Sequence, residues 1–199
     1  MKTVRLILWI IVALVAALTG WLTLEMTRTQ DEAASGPFGV PFQLVAADGT
    51  AITEKAFTGK PSALFFGFTH CPEVCPTTLF ELDGWLTKVD PDGSKLNAWF
   101  VTVDPERDTP EIVGQYVGNV SKRITAISGP PAKVLDMAKG FRVYYRKVPL
   151  DEEEPNGDYT MDHTASVFLL DATGRFTGTI SYGENPDTAE QKLRNLIKG

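Results

Sequence analysis

Soft ligands are scarce in this chain of 199 residues, which has only two cysteines and two histidines. Two cysteines are too few for a disulfide-stapled scaffold and exclude a four-cysteine zinc or iron–sulfur site from this chain alone. Two histidines exclude an imidazole-rich catalytic centre. Positive charge is also short, with 19 Lys and Arg against 25 Asp and Glu and a net charge of −6. That balance argues against a nucleic-acid binder held by a basic surface. Gly59-Lys60 lacks the upstream glycine of a phosphate loop, so nucleotide binding is unsupported. No internal repeat or low-complexity tract is present. At 43% hydrophobic and 22% charged, the chain is neither disordered nor polytopic.

The apolar residues are concentrated at one end. Leu6 to Leu24 (LILWIIVALVAALTGWLTL) carries no charge and is close to the roughly 20 residues that span a bilayer as a helix. It exceeds the roughly 7–15 apolar residues of a cleaved leader, for which Ala33-Ala34-Ser35 is the nearest small-residue site. An uncleaved anchor over residues 1–26 is the expectation, with a polar tether over 27–37 and one domain over 38–199. Lys2 and Arg5 precede the span, which keeps the N-terminus cytoplasmic and exports the remainder. The lack of an Arg-rich amphipathic leader points to a bacterial inner membrane, with the domain in the periplasm. Lys2, Arg5 and Arg28 against Glu25 leave the first 30 residues at +2 and the remainder at −8.

Within the domain the hydrophobic pattern alternates between strand and helix. Phe42 to Ala46 reads as an edge strand followed by a turn at Asp48-Gly49. Ala63 to Phe68 and Ala98 to Val103 are short apolar runs of the buried-strand kind. Between them Leu79, Leu82, Leu86 and Val89 fall at helical spacing, so a helix over Pro76–Val89 completes a β-α-β unit with a parallel pair. Asp108-Thr109-Pro110-Glu111 opens a second helix with Ile112, Val113, Tyr116 and Val117 inward. Ile124 to Ile127 is a strand, and Pro130-Pro131 opens a third helix burying Val134, Leu135, Ala138 and Phe141. Val143 to Val148 is extended, and Leu150–Asp158 (LDEEEPNGD) is an acidic hairpin tip or insertion. Val167–Leu170 and Phe176–Ile180 form a hairpin before a final helix presenting Ala189, Leu193, Leu196 and Ile197. This order predicts an α/β thioredoxin-like fold, a central mixed β-sheet flanked by helices.

Both cysteines lie in GFTHCPEVCPTTL (Gly67–Leu79), between the first buried strand and the first long helix. Reactive groups gather at such carboxyl ends of parallel strands. Cys71 and Cys75 are separated by three residues, one more than in a thioredoxin redox pair. Pro76 cannot lie deep in a helix, so the helix is expected to start near it, with Cys75 at its N-cap and a thiolate favoured there. Two thiolates on so short a loop can close one disulfide or chelate one soft metal. Structural zinc wants four protein ligands, whereas copper(I) is satisfied by two or three. A plain structural disulfide is the alternative, although so small a loop stabilises little.

His163 precedes the strand Val167–Leu170. If that strand runs antiparallel to Ala63–Phe68, its start meets the end of the cysteine strand and brings His163 beside Cys71 and Cys75. His70 reads as a supporting or structural residue, because neighbours in extended chain point apart. Asp162 is a candidate to support the ligands from behind, and Met161 reads as core.

Three segments, GFTHCPEVCPTTL, VDPERDTPE (Val103–Glu111) and DHTASVFLLD (Asp162–Asp171), resemble the Sco/SenC family. The resemblance covers essentially the whole exported domain, in the family's order and spacing. It implies a membrane-tethered thioredoxin-like protein that binds one copper ion through Cys71, Cys75 and His163. The implied partner is the copper-receiving subunit of cytochrome c oxidase, with a thioredoxin-like reductant serving the cysteines. Two functions are consistent with it. One is a metallochaperone that delivers copper; the other is a thiol–disulfide oxidoreductase that keeps the oxidase subunit's cysteines reduced, with Cys71 and Cys75 as the redox pair. A peroxiredoxin-like peroxidase fits poorly, since Pro72 stands where that family places a threonine.

Overall fold

The computed structural model describes residues 9–10, 12–23, 39, 41–154 and 157–199. The chain divides into two units, Met1–Gly36 and Pro37–Gly199. In the first, the described residues 9–10 and 12–23 are helical and expose Trp9, Leu14, Leu18 and Trp21. The ends of the expected Leu6–Leu24 span and the whole tether over 27–37 lie outside the described residues. Among the described residues, no helix is long and apolar enough to cross a membrane.

The second unit is built on β1 (Gln43–Ala46), β2 (Ala51–Thr53), β3 (Ser62–Gly67), β4 (Asn97–Thr102), β5 (Ile124–Ser128), β6 (Tyr145–Pro149), β7 (Tyr159–His163), β8 (Ser166–Leu170) and β9 (Phe176–Ser181). Its helices are α1 (Val74–Val89), α2 (Pro110–Gly118), α3 (Pro131–Gly140) and α4 (Pro186–Lys198). Seven strands form one sheet in the order β2-β1-β5-β4-β3-β8-β9, while β6 and β7, among the described residues, pair only with each other. The expected parallel pair is present, with Phe65 opposite Phe100 across β3 and β4. β8 runs antiparallel to β3, with Val167 opposite Phe65. The mixed α/β sheet of the sequence reading is therefore the observed architecture.

β3 is central because every one of its six residues, Ser62 to Gly67, is buried. Helices on both faces and strands on both sides leave it no solvent, which is why SALFFG shows no alternation. Phe66 packs against Phe141 and Phe168 with ring centroids 5.5 and 5.6 Å apart. Phe65 packs against Phe100 and, at 6.2 Å, against the His163 ring. Burying such a side chain contributes about 1.5–3 kcal/mol before cavity effects. The sheet's core thus continues without a break into the site.

Several local expectations need correction. β1 is not the edge strand: three residues, Ala51–Thr53, add β2 outside it. β2 was missed because so short a run carries no periodic signal. α1 begins at Val74, two residues before the expected start, with Pro76 in its first turn. First-turn amides have no intrahelical partner, so proline is tolerated there. Ile112 is 42% exposed rather than inward, and Met137 is buried on α3 where Leu135 is only partly covered. For the acidic segment the hairpin alternative is the one observed: β6 and β7 pair on either side of it, with the Leu150 N–H donating to the Asp158 carbonyl at 2.9 Å. The pairing leaves His163 at the end of β7 and opposite Tyr145.

Candidate metal and thiol site

Cys71 and Cys75 lie at the carboxyl end of β3, where the chain turns into α1. Glu73 is the N-cap of α1 and offers no side-chain cap; Cys75 sits inside the first turn. The capping role falls to sulfur. The Cys75 backbone N–H donates to Cys71 Sγ at 3.3 Å, so a free amide at the positive helix end faces that sulfur. The expectation that the helix start would favour a thiolate at Cys75 is thereby corrected: the benefit goes to Cys71.

The two sulfurs differ in burial and in acidity. Both are free thiols; Cys71 is half-exposed and Cys75 is fully buried. A hydrogen bond from the Cys75 thiol pulls the Cys71 thiol down to about 4, helped by the amides of Cys75 and Glu73 and opposed by partial burial. Cys75 is pushed up instead, first by giving its proton to Cys71 and then by burial. One thiolate and one thiol therefore share the loop at neutral pH, with the thiolate on the accessible side.

Gly67 makes room for the buried sulfur. A Cβ at this position would lie 2.9 Å from Cys75 Sγ and 2.8 Å from the Phe100 ring. Only a residue without a side chain lets the sulfur rest against the end of β3.

His163 arrives from the hairpin. Its Nε2 is 3.6 Å from Cys75 Sγ, and its Nδ1 is 3.1 Å from the Thr164 carbonyl. A carbonyl can only accept, so the neutral ring carries its proton on Nδ1 and turns the Nε2 lone pair toward sulfur. Phe68, at 5.7 Å and nearly perpendicular, packs with Phe65 around the ring. The structure thus places His163 Nε2 beside the Cys75 sulfur and the Cys71 sulfur beside the Cys75 amide. Two thiols and one imidazole nitrogen, half-shielded by aromatic rings, are a soft donor set that fits copper(I).

The remaining candidates fall elsewhere. Asp162 points away from the site and pairs with Arg146 at 3.7 Å, so it does not support a ligand. Met161 is buried core. His70 is exposed; its Nδ1 is 3.1 Å from Thr69 Oγ1 and 3.9 Å from Asp108 Oδ1. His70, Asp104 and Asp108 cluster closely enough to hold an ion, but protein donors already occupy both carboxylates. Asp108 accepts from Thr69 N, Thr69 Oγ1 and Thr102 Oγ1 at 3.0, 2.6 and 2.7 Å. Asp104 accepts from Arg107 Nε and the Tyr159 hydroxyl at 2.5 and 2.8 Å.

These supporting residues were not singled out from the sequence. The signal for them was the charged run VDPERDTPE placed directly after a buried strand. Tyr116 was assigned only to the core, yet its hydroxyl is buried without a hydrogen-bond partner. Burial first, then the negative charges of Cys71 and Asp108, push its acidity well down, so it stays a neutral phenol.

The SCO1/SenC family model matches residues 30–198, and the chain belongs to that family. It is 36% identical over 156 residues to the Arabidopsis thaliana mitochondrial SCO1 homolog 1, covering 78% of this chain and 45% of that protein. It is 34% identical over 161 residues to the mitochondrial SCO2 of Saccharomyces cerevisiae, covering 80% of this chain and 53% of that one. The chain therefore spans about half the length of the curated relatives it matches. Among solved structures it superposes on copper-bound ScoI of Bradyrhizobium japonicum with a TM-score of 0.72 and 43% identity. That match covers 80% of this chain and 99% of the other.

Proposed function

We propose that this protein binds one copper ion through Cys71, Cys75 and His163 and delivers it to the copper centre of cytochrome c oxidase during assembly. The observation that carries the reading is the convergence of His163 Nε2, 3.6 Å from Cys75 Sγ, on a loop whose other sulfur is a ready thiolate. Family membership and the 43%-identical copper-bound structure support the choice of metal. Copper is cargo here: loading displaces the Cys75 proton and consumes the existing Cys71 thiolate, and delivery exchanges these ligands for those of the receiving subunit. A half-exposed Cys71 leaves the sulfur open to that exchange, while buried Cys75 keeps water from one side of the metal.

A second reading rests on the same asymmetry. A low-pKa, accessible Cys71 beside a protonated, buried Cys75 is the arrangement of an attacking and a resolving thiol. Cys71 thiolate attacks a disulfide of the receiving subunit and forms a mixed disulfide. Cys75, losing its proton, then closes a Cys71–Cys75 disulfide and releases the partner as a dithiol. Two electrons pass to the partner, and a thioredoxin-like reductant restores the pair. The same sulfurs cannot hold copper and a disulfide together, so the two activities alternate.

The proposed setting is a bacterial inner membrane, with the N-terminal segment as anchor and the larger unit in the periplasm. The apolar run of the sequence supports this, as do Thr19 and Thr23, whose hydroxyls donate back to helix carbonyls at 2.9–3.0 Å and so spend their donors within the helix. The test of function is metal analysis of the reduced full-length chain and of its Cys71→Ala, Cys75→Ala and His163→Ala variants. One copper per wild-type chain, with weakened or lost binding in each variant, is expected. Unchanged affinity in His163→Ala would sink the three-ligand site.

A further inference from the structure

His163 lies at the end of an element that is itself outside the main sheet and joins it only where β8 begins. Among the described residues the β6–β7 hairpin pairs only with itself, so the position of the imidazole depends on what fixes that hairpin to the rest of the unit. Residues two apart on a strand share a face, and on β7 these are Tyr159, Met161 and His163. Met161 is buried and His163 sits between Phe65 and Phe68. Tyr159, at the far end, is the third point of attachment, and it is gripped from the loop that follows β4.

The grip has four parts. The Tyr159 hydroxyl donates to Asp104 Oδ1 at 2.8 Å. Arg107 Nη1 donates to the Tyr159 carbonyl at 2.9 Å, and its guanidinium lies 3.7 Å from the ring centroid. Arg107 Nε pairs with Asp104 Oδ2 at 2.5 Å, so one guanidinium ties the loop to itself and to the hairpin. Lys147, paired with Glu106 at 2.5 Å, places its ammonium 4.6 Å from the same ring.

The same loop also fixes the cysteines. The Asp104 N–H donates to Thr102 Oγ1 at 2.9 Å, and that hydroxyl donates to Asp108 Oδ2 at 2.7 Å. Asp108 in turn takes the Thr69 amide and hydroxyl, two residues before Cys71. A continuous hydrogen-bonded chain therefore runs Tyr159–Asp104–Thr102–Asp108–Thr69, from the His163 hairpin to the cysteine loop. Asp104, Thr102 and Asp108 are all buried, where such a network is stiff.

We propose that Asp104, Arg107 and Tyr159 form a positioning clamp that sets His163 against the two cysteines. The loop after β4 is the template on which both halves of the site are registered. None of the three residues touches the metal position; each acts through His163. The inference rests on the three-ligand reading above.

The test pairs copper(I) competition titrations with NMR of the His163 ring in the reduced, metal-free full-length chain. Tyr159→Phe removes the hydroxyl and keeps the ring, and Arg107→Lys keeps the charge but cannot reach Asp104 and the Tyr159 carbonyl together. Each variant is expected to weaken copper binding about 10-fold, the lower end for residues that orient a ligand. Each should also shift or broaden the His163 ring signals before any copper is added. In a His163→Ala background neither variant should weaken binding further. A further loss in that background would make the three residues merely structural and overturn the proposal, as would His163 signals that do not move in Tyr159→Phe. If wild type and His163→Ala bind copper equally, the ligand reading fails, and the metal-free NMR still decides whether the clamp holds the ring.

Discussion

The cysteine loop and the β6–β7 hairpin supply the two halves of one site by opposite means. The loop grows from β3, the most buried strand, and continues directly into α1; its sulfurs are fixed by backbone amides and by the space at Gly67. The hairpin stands outside the sheet and is fixed to the unit largely through side chains, among them Tyr159, Met161, His163 and Lys147. A ligand set by main-chain geometry is hard to move without unfolding the domain. One set by side chains can be shifted by a single substitution. The dithiol is thus the permanent part of the proposed site and the imidazole the adjustable part, which would suit the proposed holding and release of copper.

That contrast can be broken at either half, and the largest effect is expected at the loop. Cys75→Ser removes the buried sulfur with little change in volume; copper should no longer survive desalting, while the thermal melt stays close to wild type. His163→Ala is the matching change in the hairpin. It should weaken copper(I) by at least about 10- to 100-fold in competition titrations, since losing even a residue that only orients a ligand costs that much, while dithiol oxidation persists. Equal losses from both substitutions would erase the distinction between permanent and adjustable halves.

Gly67→Ala probes the loop without replacing a ligand. The new methyl meets both Cys75 Sγ and Phe100, so overpacking should cost about 1–3 kcal/mol, read from denaturant titration. The pH dependence separates the two sulfurs. Cys71, lowered to about 4, is already a thiolate at neutral pH, whereas Cys75 is raised and must lose a proton on loading. Copper(I) affinity should therefore climb about tenfold per pH unit between pH 6 and 8, and more steeply below about pH 4, where Cys71 also holds a proton. A flat profile would show that Cys75 stays protonated in the complex. The smallest effect is expected at Asp162→Ala, which removes an exposed pair with Arg146 and should change stability by about 0–1 kcal/mol and copper affinity not at all.

Much of the frame was legible because burial leaves a periodic trace. The continuous run at Ala63–Phe68 and the spacing of Leu79, Leu82 and Leu86 mark β3 and α1 to within two residues. The proximity of His163 was legible for a reason that held, the antiparallel pairing of β8 with β3. The strand that carries it was not. Tyr159–His163 pairs with a segment whose side chains are mostly exposed or half-covered, so β6 and β7 show no clean alternation. The joining of Asp104 and Arg107 to Tyr159 was equally invisible, because a contact spanning 52 or 55 residues has no local pattern to betray it.

By itself the sequence determined the chemistry on offer: two cysteines on one short loop, a histidine ahead of a buried strand, and an apolar N-terminal run. Residue type and local spacing decide these, and folding cannot add a sulfur. Only the tertiary structure decided how the two cysteines differ. Which sulfur meets the helix amides and which is buried depends on where α1 starts and on the space at Gly67. That contrast in environment makes Cys71 the thiolate and Cys75 the proton holder. The tertiary structure also decided what keeps His163 in place, because the hydrogen bonds that reach it from the β4 end join side chains far apart in the chain.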